Sequence, residues 1–578
     1  MHFRQFDLTK MASKLTDLKI KNHLTRTLIP DKEILGDPMK APIEVPKASI
    51  IPRQVHHAHY SFTKPQEAPD AKLLSFNKQM MDSLELDSDS IFANHDANKE
   101  FVDILSGNSC FPNSHPWSLA YGGHQFGSWA GQLGDGRAIS LAQVEVKGQL
   151  WELQLKGAGL TPYSRFADGY AVLRSSIREY LAAEAMHSLN VPTSRSLSII
   201  NSTRAVQRET IENSAIVCRV APSWIRFGSF ELFYSRGDTE SLKLLADYCI
   251  EYHFQHLLQT PMGNDRTEVY YSFLQDVVDR TAEMIAHWQS VGFCHGVMNT
   301  DNFSVLGLTI DYGPYQFLNE YDPHYICNHS DETGRYAFSE QPTVALWNLI
   351  RLASALSPLM KTDESPEAIK TVQERLNLIL KSFNRTLSTK YHSLLCQKLG
   401  YVDFGTETFK VTDELIINVI QPLLVLMHEA KLDYTRFFRY LSNLSLEPKT
   451  FTEDMVLEWQ KCSYLSKEEL EKVDADSETG TSLTTQMSIW YISYRQSQQH
   501  IDPILRRKGM LQANPRYTLR NHIVQHVIDE VEAGNEDILN QYLKVLQAPF
   551  DDGTVEEIKL FDQMVPTHLS QLKCSCSS

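Results

Sequence analysis

The sequence contains no apolar run long enough to cross a membrane, which takes about 20 mostly apolar residues in a helix. Its most apolar stretch, 415–427, is interrupted by Asn418, Gln421 and Pro422. These interruptions favour one or two buried helices, so we expect no membrane span.

Positive charge is also scarce, because 55 Lys and Arg residues face 71 Asp and Glu residues and give a net charge of −16. Proteins that coat nucleic acids need a broadly positive surface to displace counterions from phosphates. We therefore expect no nucleic-acid partner. A local basic pocket for a small phosphate ligand is still compatible with this charge.

Cysteine is sparse and poorly matched for pairing. The 578 residues include nine cysteines, an odd number that lie mostly far apart, and the N-terminus lacks the pattern of a secretory leader. We therefore expect a reducing compartment and no disulfide scaffold.

The N-terminal 26 residues carry six basic residues against two acids, unlike the acidic remainder of the chain. This pattern is compatible with a mitochondrial transit peptide, although two acids interrupt it and serines are few, and it is equally compatible with an ordinary solvated helix. Five prolines between residues 30 and 52 then predict an extended connector, because proline interrupts regular helix. We expect a mitochondrial protein, with a cytoplasmic location as the alternative.

The rest of the chain predicts a mixed α/β region followed by a mostly helical one. Residues 151–157 alternate apolar and polar side chains, as a half-buried strand does, and residues 171–190 carry apolar side chains at helical spacing. Helical patterns then dominate after residue 240. They cover residues 241–258, 271–291, 342–360, 365–398, 412–430, 434–444 and 515–547.

Two features of the mixed region are suited to phosphate. Glycines cluster at 122–127 and 131–137, and glycine lets backbone N–H groups approach a phosphate closely. Their spacing matches neither a Walker A loop nor the dinucleotide fingerprint, so tight turns between strands are the favoured alternative. Arg219 and Arg226 suit phosphate oxygens by charge and geometry, with ordinary surface arginines as the alternative.

Lys156 ends the predicted strand, and Glu179 and Glu184 both lie in the helix that follows. Protein kinases hold ATP phosphates with a strand lysine that pairs with a helix glutamate. Helical periodicity does not decide between the two glutamates. Pairs with Arg174 or Arg178 on a solvated helix face are the alternative for both.

A further motif lies between residues 295 and 313, where H-G-V-M-N-T-D-N precedes D-Y-G. It resembles the kinase catalytic loop H-R-D-x-x-x-x-N and the later D-F-G. Asn302 and Asp311 are therefore candidate oxygen ligands for Mg²⁺. A loop between a helix and a hairpin is the alternative.

The kinase base is missing from this motif. Val297 occupies its position and cannot accept a proton, and the nearest carboxylate is Asp301, beside Asn302. Either the chemistry is absent, or Asp301 serves a different geometry. The order of the motifs predicts a kinase-like ATP site without the usual base.

Four long strings carry a resemblance to the selenoprotein O family of pseudokinases: residues 122–138, 151–185, 295–318 and 321–338. The family implies a kinase-like bilobal α+β fold, with a mixed α/β N-lobe and a large, mostly helical C-lobe. It also implies transfer of AMP from ATP to Ser, Thr or Tyr hydroxyls of proteins, with Mg²⁺-dependent release of pyrophosphate. The implied boundaries are 1–50 for the N-terminal segment and connector, 51–240 for the N-lobe, 241–560 for the C-lobe and 561–578 for the tail.

Carried over position by position, the resemblance implies a nucleotide-binding set and selects Glu179 over Glu184. The set consists of Gly134, Gly136, Arg137, Lys156, Asp168, Gly169, Glu179, Arg219, Arg226 and Asp311. The resemblance further implies Asn302 and Asp311 as ligands of Mg²⁺, with Mn²⁺ as the alternative metal. It implies Asp301 as the catalytic base.

The resemblance extends to the cysteines. Cys576 stands third from the end, where animal members of the family carry selenocysteine. Cys327 matches a cysteine that resembles one half of a disulfide with the C-terminal cysteine in bacterial relatives. This implies redox regulation through Cys327 and either Cys574 or Cys576, with unlinked thiols as the alternative.

The implied partners are ATP and hydroxyl-bearing protein substrates, with redox proteins among the candidates, and we expect a monomer. Eukaryotic members of the family tend to be mitochondrial, which agrees with the basic N-terminus. Two rival functions stand beside AMP transfer. One is a kinase with a displaced base, and the other is a non-catalytic ATP-binding scaffold, which Val297 would suit.

Overall fold

The computed structural model describes residues 11–34, 47–401, 410–475, 481–566 and 569. Strands dominate the N-terminal region and helices the C-terminal region, which confirms the predicted α+β class and the order of its parts. No helix in these ranges combines the length and the apolar character that crossing a bilayer would take.

The described residues form twelve strands. They are β1 (Tyr60–Phe62), β2 (Lys72–Phe76), β3 (Trp117–Leu119), β4 (Gly122–Gln125), β5 (Ser128–Gln132), β6 (Ala138–Val146), β7 (Gln149–Lys156), β8 (Ala171–Val172), β9 (Arg195–Gln207), β10 (Ile211–Ala221), β11 (Phe293–Cys294) and β12 (Gln316–Phe317). The main sheet is antiparallel with the order β1-β3-β6-β7-β10-β9-β2, and β8 also pairs with β10. Two separate hairpins are formed by β4 with β5 and by β11 with β12.

Twenty α-helices accompany these strands in the described ranges. They are α1 (His23–Thr27), α2 (Lys78–Ser83), α3 (Ser88–Ala93), α4 (His95–Leu105), α5 (Leu173–Ser188), α6 (Phe227–Ser235), α7 (Thr239–His253), α8 (Arg266–Val291), α9 (Gln341–Leu356), α10 (Pro366–Lys398), α11 (Asp413–Leu415), α12 (Gln421–Glu429), α13 (Tyr434–Asn443), α14 (Glu453–Gln460), α15 (Lys467–Ala475), α16 (Leu483–Ser497), α17 (Pro503–Ala513), α18 (Asn521–Glu532), α19 (Asp537–Leu546) and α20 (Val555–Phe561).

The main sheet is covered on both faces. On one face, Ile177 and Leu181 of α5 are buried in one core with Val217 of β10. On the other face, Phe101 of α4 is buried in a core with Leu153 of β7. Burying each such side chain contributes about 1.5–3 kcal/mol. Strands β7 and β10 are therefore held rigidly between two cores, and both carry predicted site residues.

Strand β2 is an edge strand, and α19 from the far end of the chain contacts two of its side chains. The Oγ of Ser75 donates to Oδ1 of Asn540 at 2.7 Å. The Nζ of Lys72 lies 2.7 Å from Oε1 of Glu536. Side chains close to both ends of the sequence thus meet at one side of the sheet.

The described part of the N-terminal segment, residues 11–34, packs into the sheet. The N–H of Lys21 donates to the carbonyl of Gln143 at 2.8 Å, and the hydroxyl of Tyr60 donates to the carbonyl of Thr25 at 2.8 Å. Leu24 is wholly buried in the core that contains α5. Residues 11–34 are therefore packed as part of the folded protein. The mitochondrial location stays a prediction.

Leu24→Ala tests whether this segment belongs to the core. We expect it to lower the free energy of unfolding by about 2–5 kcal/mol, because truncating a buried leucine loses apolar burial and leaves a cavity. Urea unfolding of the full chain measures the change. Met11→Ala is the control, because Met11 is 38% exposed, and its cost should stay within about 0.5 kcal/mol. Equal unfolding midpoints for the two variants would contradict a role of residues 11–34 in the core.

Candidate functional site

A cavity of about 320 Å³ brings together most of the predicted site residues. It is bordered by β7, β10 and α5 on the sheet side and by residues 297–302 and 311–314 on the helical side. The predicted residues that line it are Gly134, Gly136, Arg137, Lys156, Glu179, Arg219, Arg226, Asp301, Asn302 and Asp311.

Lys156, the last residue of β7, pairs with Glu179 of α5. Its Nζ lies 2.8 Å from Oε2 of Glu179 and 3.4 Å from Oδ1 of Asp311. Burial lowers the pKa of Lys156, and the two carboxylates oppose that shift. Glu184 points elsewhere and forms a buried ion pair with Arg195 at 2.7 Å. The structure thus places Glu179, not Glu184, at the strand lysine.

Arg219 and Arg226 converge on the same carboxylate. The Nη1 of Arg219 lies 2.6 Å from Oδ1 of Asp311, and the Nη1 of Arg226 bonds to Oδ2. Both guanidiniums are buried against rings, Arg219 over Trp224 and Arg226 over Tyr121, with 4.4 and 4.6 Å to the ring centres. Stacking and ion pairing together fix the direction in which each guanidinium points.

Asp311 is the centre of this network. Its φ is +58°, a left-handed conformation that few residues other than glycine adopt. Burial alone would raise its pKa, but Arg226, Lys156 and Arg219 hold the pKa well below its usual range. Asp311 is therefore ionised at neutral pH, with its backbone held in a conformation that costs free energy.

Asp301 lies beside this network, but no salt bridge joins its carboxylate to a cation among the described residues. Its Oδ2 accepts from Nε2 of Gln125 at 3.3 Å, and Oδ1 is buried with no hydrogen-bond partner among the described residues. Burial raises the pKa of Asp301 to about 7. Four carboxyl groups line the cavity, those of Asp135, Glu179, Asp301 and Asp311. Among them Asp311 stays ionised and Asp301 exchanges protons near neutral pH, an arrangement suited to acid–base chemistry.

Asn302 and Val297 are joined by a hydrogen bond. The Nδ2 of Asn302 donates to the carbonyl of Val297 at 3.0 Å. The amide nitrogen is thereby committed to the backbone, so Oδ1 of Asn302 is the atom that a cation could use.

The glycine loop is shaped by Tyr163. Gly134 has a φ of +129°, and a Cβ added to it would lie 2.4 Å from Cγ of Tyr163. A Cβ on Gly136 would lie 2.9 Å from the carbonyl of Tyr163. The loop therefore needs glycine for its packing, whatever else it binds.

Asp168 and Gly169 do not line the cavity. The Oδ2 of Asp168 pairs with Nη1 of Arg208 at 2.8 Å, and a Cβ on Gly169 would lie 2.3 Å from the backbone of Gly159. They hold the base of the loop that sends Ser164 and Arg165 to the cavity wall. Their contact with a nucleotide stays a prediction.

Cys327 is a buried thiol in this structure. It is wholly buried, and its Sγ donates to the carbonyl of Cys294 at 3.5 Å. Burial raises the pKa of Cys327 well above its usual range, which disfavours the reactive thiolate. Cys574 and Cys576 lie outside the described residues, so the redox pairing stays a prediction.

Three residues at the cavity were not assigned from the sequence. Gln125 contacts Asp301, and Tyr121 stacks on Arg226. Asp135 is buried with its Oδ1 3.8 Å from Nη2 of Arg226, and burial raises its pKa. Gln125 and Asp135 lie inside the glycine clusters, where attention to polar residues between glycines would have found them, and Tyr121 directly precedes the first cluster.

Comparison with known proteins identifies what the chain is similar to. The family model described as "Protein adenylyltransferase SelO" matches residues 50–547. A "Protein nucleotidyltransferase YdiU" of Rhodopirellula baltica is 40% identical over 554 residues, which cover 93% of this chain and 94% of the relative. Relatives of the same name are 43% identical in Cupriavidus metallidurans, over 83% of this chain and 82% of theirs, and 38% identical in Flavobacterium johnsoniae, over 98% of this chain and 100% of theirs.

Proposed function

Because the chain belongs to the protein adenylyltransferase SelO family and is thus a protein nucleotidyltransferase, we propose that its ATP binds in the cavity around Asp311. The observation that carries the proposal is the convergence of Lys156, Arg219 and Arg226 on one carboxylate. These buried cations suit the oxygens of a triphosphate, which could replace Asp311 as partners of the two arginines.

The fold that we propose is the kinase-like bilobal one, with its lobes at 51–240 and 241–560. The ion pair between Lys156 on a strand and Glu179 on a helix supports it. The H-x₆-N and D-x-G motifs meet that pair at one cavity, which supports it further.

Asn302 and Asp311 would hold the divalent cation, which we propose to be Mg²⁺. The free oxygen of Asn302 and the ionised carboxylate of Asp311 are the hard donors that this ion prefers. When bound, the cation neutralises charge on the departing pyrophosphate.

Asp301 would take the proton from the acceptor hydroxyl of a Ser, Thr or Tyr side chain. Its pKa of about 7 is near the optimum for a general base at neutral pH. Val297 is only 8% exposed and has no proton acceptor in its side chain. Asp311 and Glu179 are paired with cations. Asp135 accepts hydrogen bonds from the N–H of Leu119 and the Nε2 of Gln154. Asp301 is therefore the carboxylate to which we assign the role of base.

ATP labelled at either the α- or the γ-phosphate tests the proposal. Incubated with Mg²⁺ and a cell extract, the protein should transfer the α-label to proteins and leave the γ-label in pyrophosphate. Transfer of the γ-label would instead establish a kinase, and transfer of neither label would favour the scaffold. Peptide mass spectrometry would then identify the modified hydroxyls.

Glu179→Gln and Glu184→Gln form a matched pair, because both remove one buried charge from α5. Glu179→Gln should lower kcat/KM for ATP about 10–100-fold, because it removes the carboxylate that orients the ammonium group of Lys156. Glu184→Gln should instead lower stability by about 3–5 kcal/mol, because it leaves Arg195 buried without its partner. Initial rates and urea unfolding measure the two effects. Equal losses of activity in the two folded variants would contradict the assignment of Glu179.

A further inference from the structure

The hairpin of β4 and β5 runs beside the loop that carries Asp301. The Nε2 of Gln125 donates to Oδ2 of Asp301 at 3.3 Å, and the N–H of Phe126, at the hairpin tip, donates to Oδ1 of Asn299 at 3.2 Å. The hydroxyl of Tyr336 donates to the same oxygen of Asn299 at 2.6 Å. Side chains that surround the hairpin tip therefore lie close to the proposed base.

Aromatic and arginine side chains surround this tip. We call them the arginine patch, which consists of Phe126, Trp129, Arg335, Trp347 and Arg351. Phe126 and Trp129 are 42% and 39% exposed. The Cζ atoms of Arg335 and Arg351 lie 4.9 and 5.2 Å from the ring centre of Trp347. The ring of His124 joins the two tryptophans, with 5.2 Å to the ring centre of Trp129 and 5.3 Å to that of Trp347.

Arg335 connects the patch to the loop that carries the proposed base. A Cβ added to Gly127 would lie 3.3 Å from Cζ of Arg335, so the guanidinium packs against the hairpin tip. The same Cζ lies 5.9 Å from the ring centre of Tyr336. An extended polypeptide advances about 3.3 Å per residue. A polypeptide whose hydroxyl reaches Asp301 therefore brings residues a few positions away within reach of Arg335.

The two arginines of the patch have unused charge. Neither forms an ion pair within the described ranges, and the Nε atom of each is buried there without a hydrogen-bond partner. Glu231 lies within electrostatic range of Arg351, but its carboxylate is already bonded to the ring of His124 at 2.6 Å. The tryptophan ring offsets part of the cost of desolvating a guanidinium, and a carboxylate from a binding partner would offset more.

We propose that the arginine patch binds an extended segment of the acceptor protein that carries Asp or Glu a few residues from the modified hydroxyl. This rests on the function proposed above and adds the class of its protein substrate. Guanidiniums suit carboxylates by charge and by fork geometry, and Arg, Trp and Tyr contribute most of the binding energy at protein interfaces. The exposed rings of Phe126 and Trp129 add apolar contact area that a polypeptide can cover and a small anion cannot.

Mapping the modified hydroxyls in a cell extract tests the proposal. With Mg²⁺ and α-labelled ATP, we expect Asp and Glu to be enriched about tenfold over Lys and Arg near the modified hydroxyls. The enrichment should lie within about five residues of extended chain. Modified sites no more acidic than the unmodified hydroxyls of the same proteins would overturn the proposal and leave AMP transfer established. Absence of α-label from every protein would instead overturn the proposed function.

Charge reversal gives an independent test. Arg335→Glu and Arg351→Glu should each lower the ratio of acidic to basic modified sites about tenfold, through KM for the acceptor. Neither residue lines the cavity around Asp311, so calorimetric binding of ATP should be unchanged. Lys381→Glu is the control, because it makes the same change of charge at an exposed position of α10. The ratio is measured within one sample and so does not depend on the folded fraction. An equal ratio in all three variants would overturn the proposal.

Discussion

Replacing Asp311 with alanine is expected to reduce AMP transfer by about a thousandfold or more, because one carboxylate serves both the metal and the cations of the site. In the structure, its two oxygens contact Lys156, Arg219 and Arg226. Without the carboxylate, the proposed metal loses its charged protein ligand. Initial rates with α-labelled ATP measure the loss, and calorimetry with Mg²⁺ and ATP measures the accompanying loss of metal-dependent binding.

The same substitution should also cost stability in the absence of nucleotide. Three cations would then face one another across the cavity with Glu179 as the main compensating charge. Removing one partner of a buried ion pair lowers the free energy of unfolding by about 3–5 kcal/mol. The transfer rates must therefore be compared per folded molecule. Asp89→Ala is the control, because that side chain is 90% exposed and its contact with Lys78 is 3.5 Å long. If folded Asp311→Ala transferred AMP as fast as Asp89→Ala, the assignment of Asp311 would be wrong.

Asp301→Asn is expected to separate binding from chemistry. The amide has nearly the same shape and cannot accept the proton, so transfer should fall about 10²–10⁴-fold. ATP binding should persist, because the cations proposed to hold the phosphates contact the carboxylate of Asp311 and not that of Asp301. Single-turnover rates and equilibrium binding of ATP make the comparison. Full transfer by Asp301→Asn would falsify the base assignment.

The pH dependence of Asp301 has opposite signs for rate and for stability. Burial raises its pKa to about 7 from an ordinary value of 3.8. The base acts only when ionised, so the rate should fall as the pH drops below about 7. Folding favours the protonated carboxyl, so its contribution to stability is present at low pH and is lost as the pH rises through about 7.

Asp301→Asn should therefore be more stable than the natural protein at about pH 8, and the difference should shrink as the pH falls. Unfolding in EDTA measures this, because a bound cation would lower the pKa of the neighbouring carboxyl. A variant that is less active yet more stable is the expected result for a buried catalytic charge. Lower stability of Asp301→Asn at every pH would show that the carboxylate serves the fold instead.

Local pattern predicted most of the fold where periodicity is strong. The helix expected at 171–190 is α5, and the one expected at 365–398 is α10. The helix expected over 515–547 is divided into α18 and α19, because the chain turns at Gly534, which has a φ of +98°. Helices α2, α3, α4 and α6 in the first part of the chain and α14, α15, α16, α17 and α20 in the second were not predicted from the sequence.

The sequence predicted which residues form the site, but it did not predict which of them contact one another. Sequence motifs selected Lys156, Asn302 and Asp311 because kinases use those residue types in that order. Periodicity alone could not choose between Glu179 and Glu184, since both are buried on α5 and only the tertiary fold decides which one meets Lys156. Local pattern carries no information on contacts between segments as distant as β10 and Asp311.

The contact between α19 and strand β2 has a consequence for synthesis. Residues of β2 emerge early from the ribosome, whereas Glu536 and Asn540, which contact Lys72 and Ser75, emerge after more than four hundred further residues. Until then, these side chains of the edge strand lack their partners, and a long-lived, incompletely packed sheet is prone to pair with other chains. Shielding by a chaperone during translation is therefore expected to matter more for this protein than its final stability would suggest.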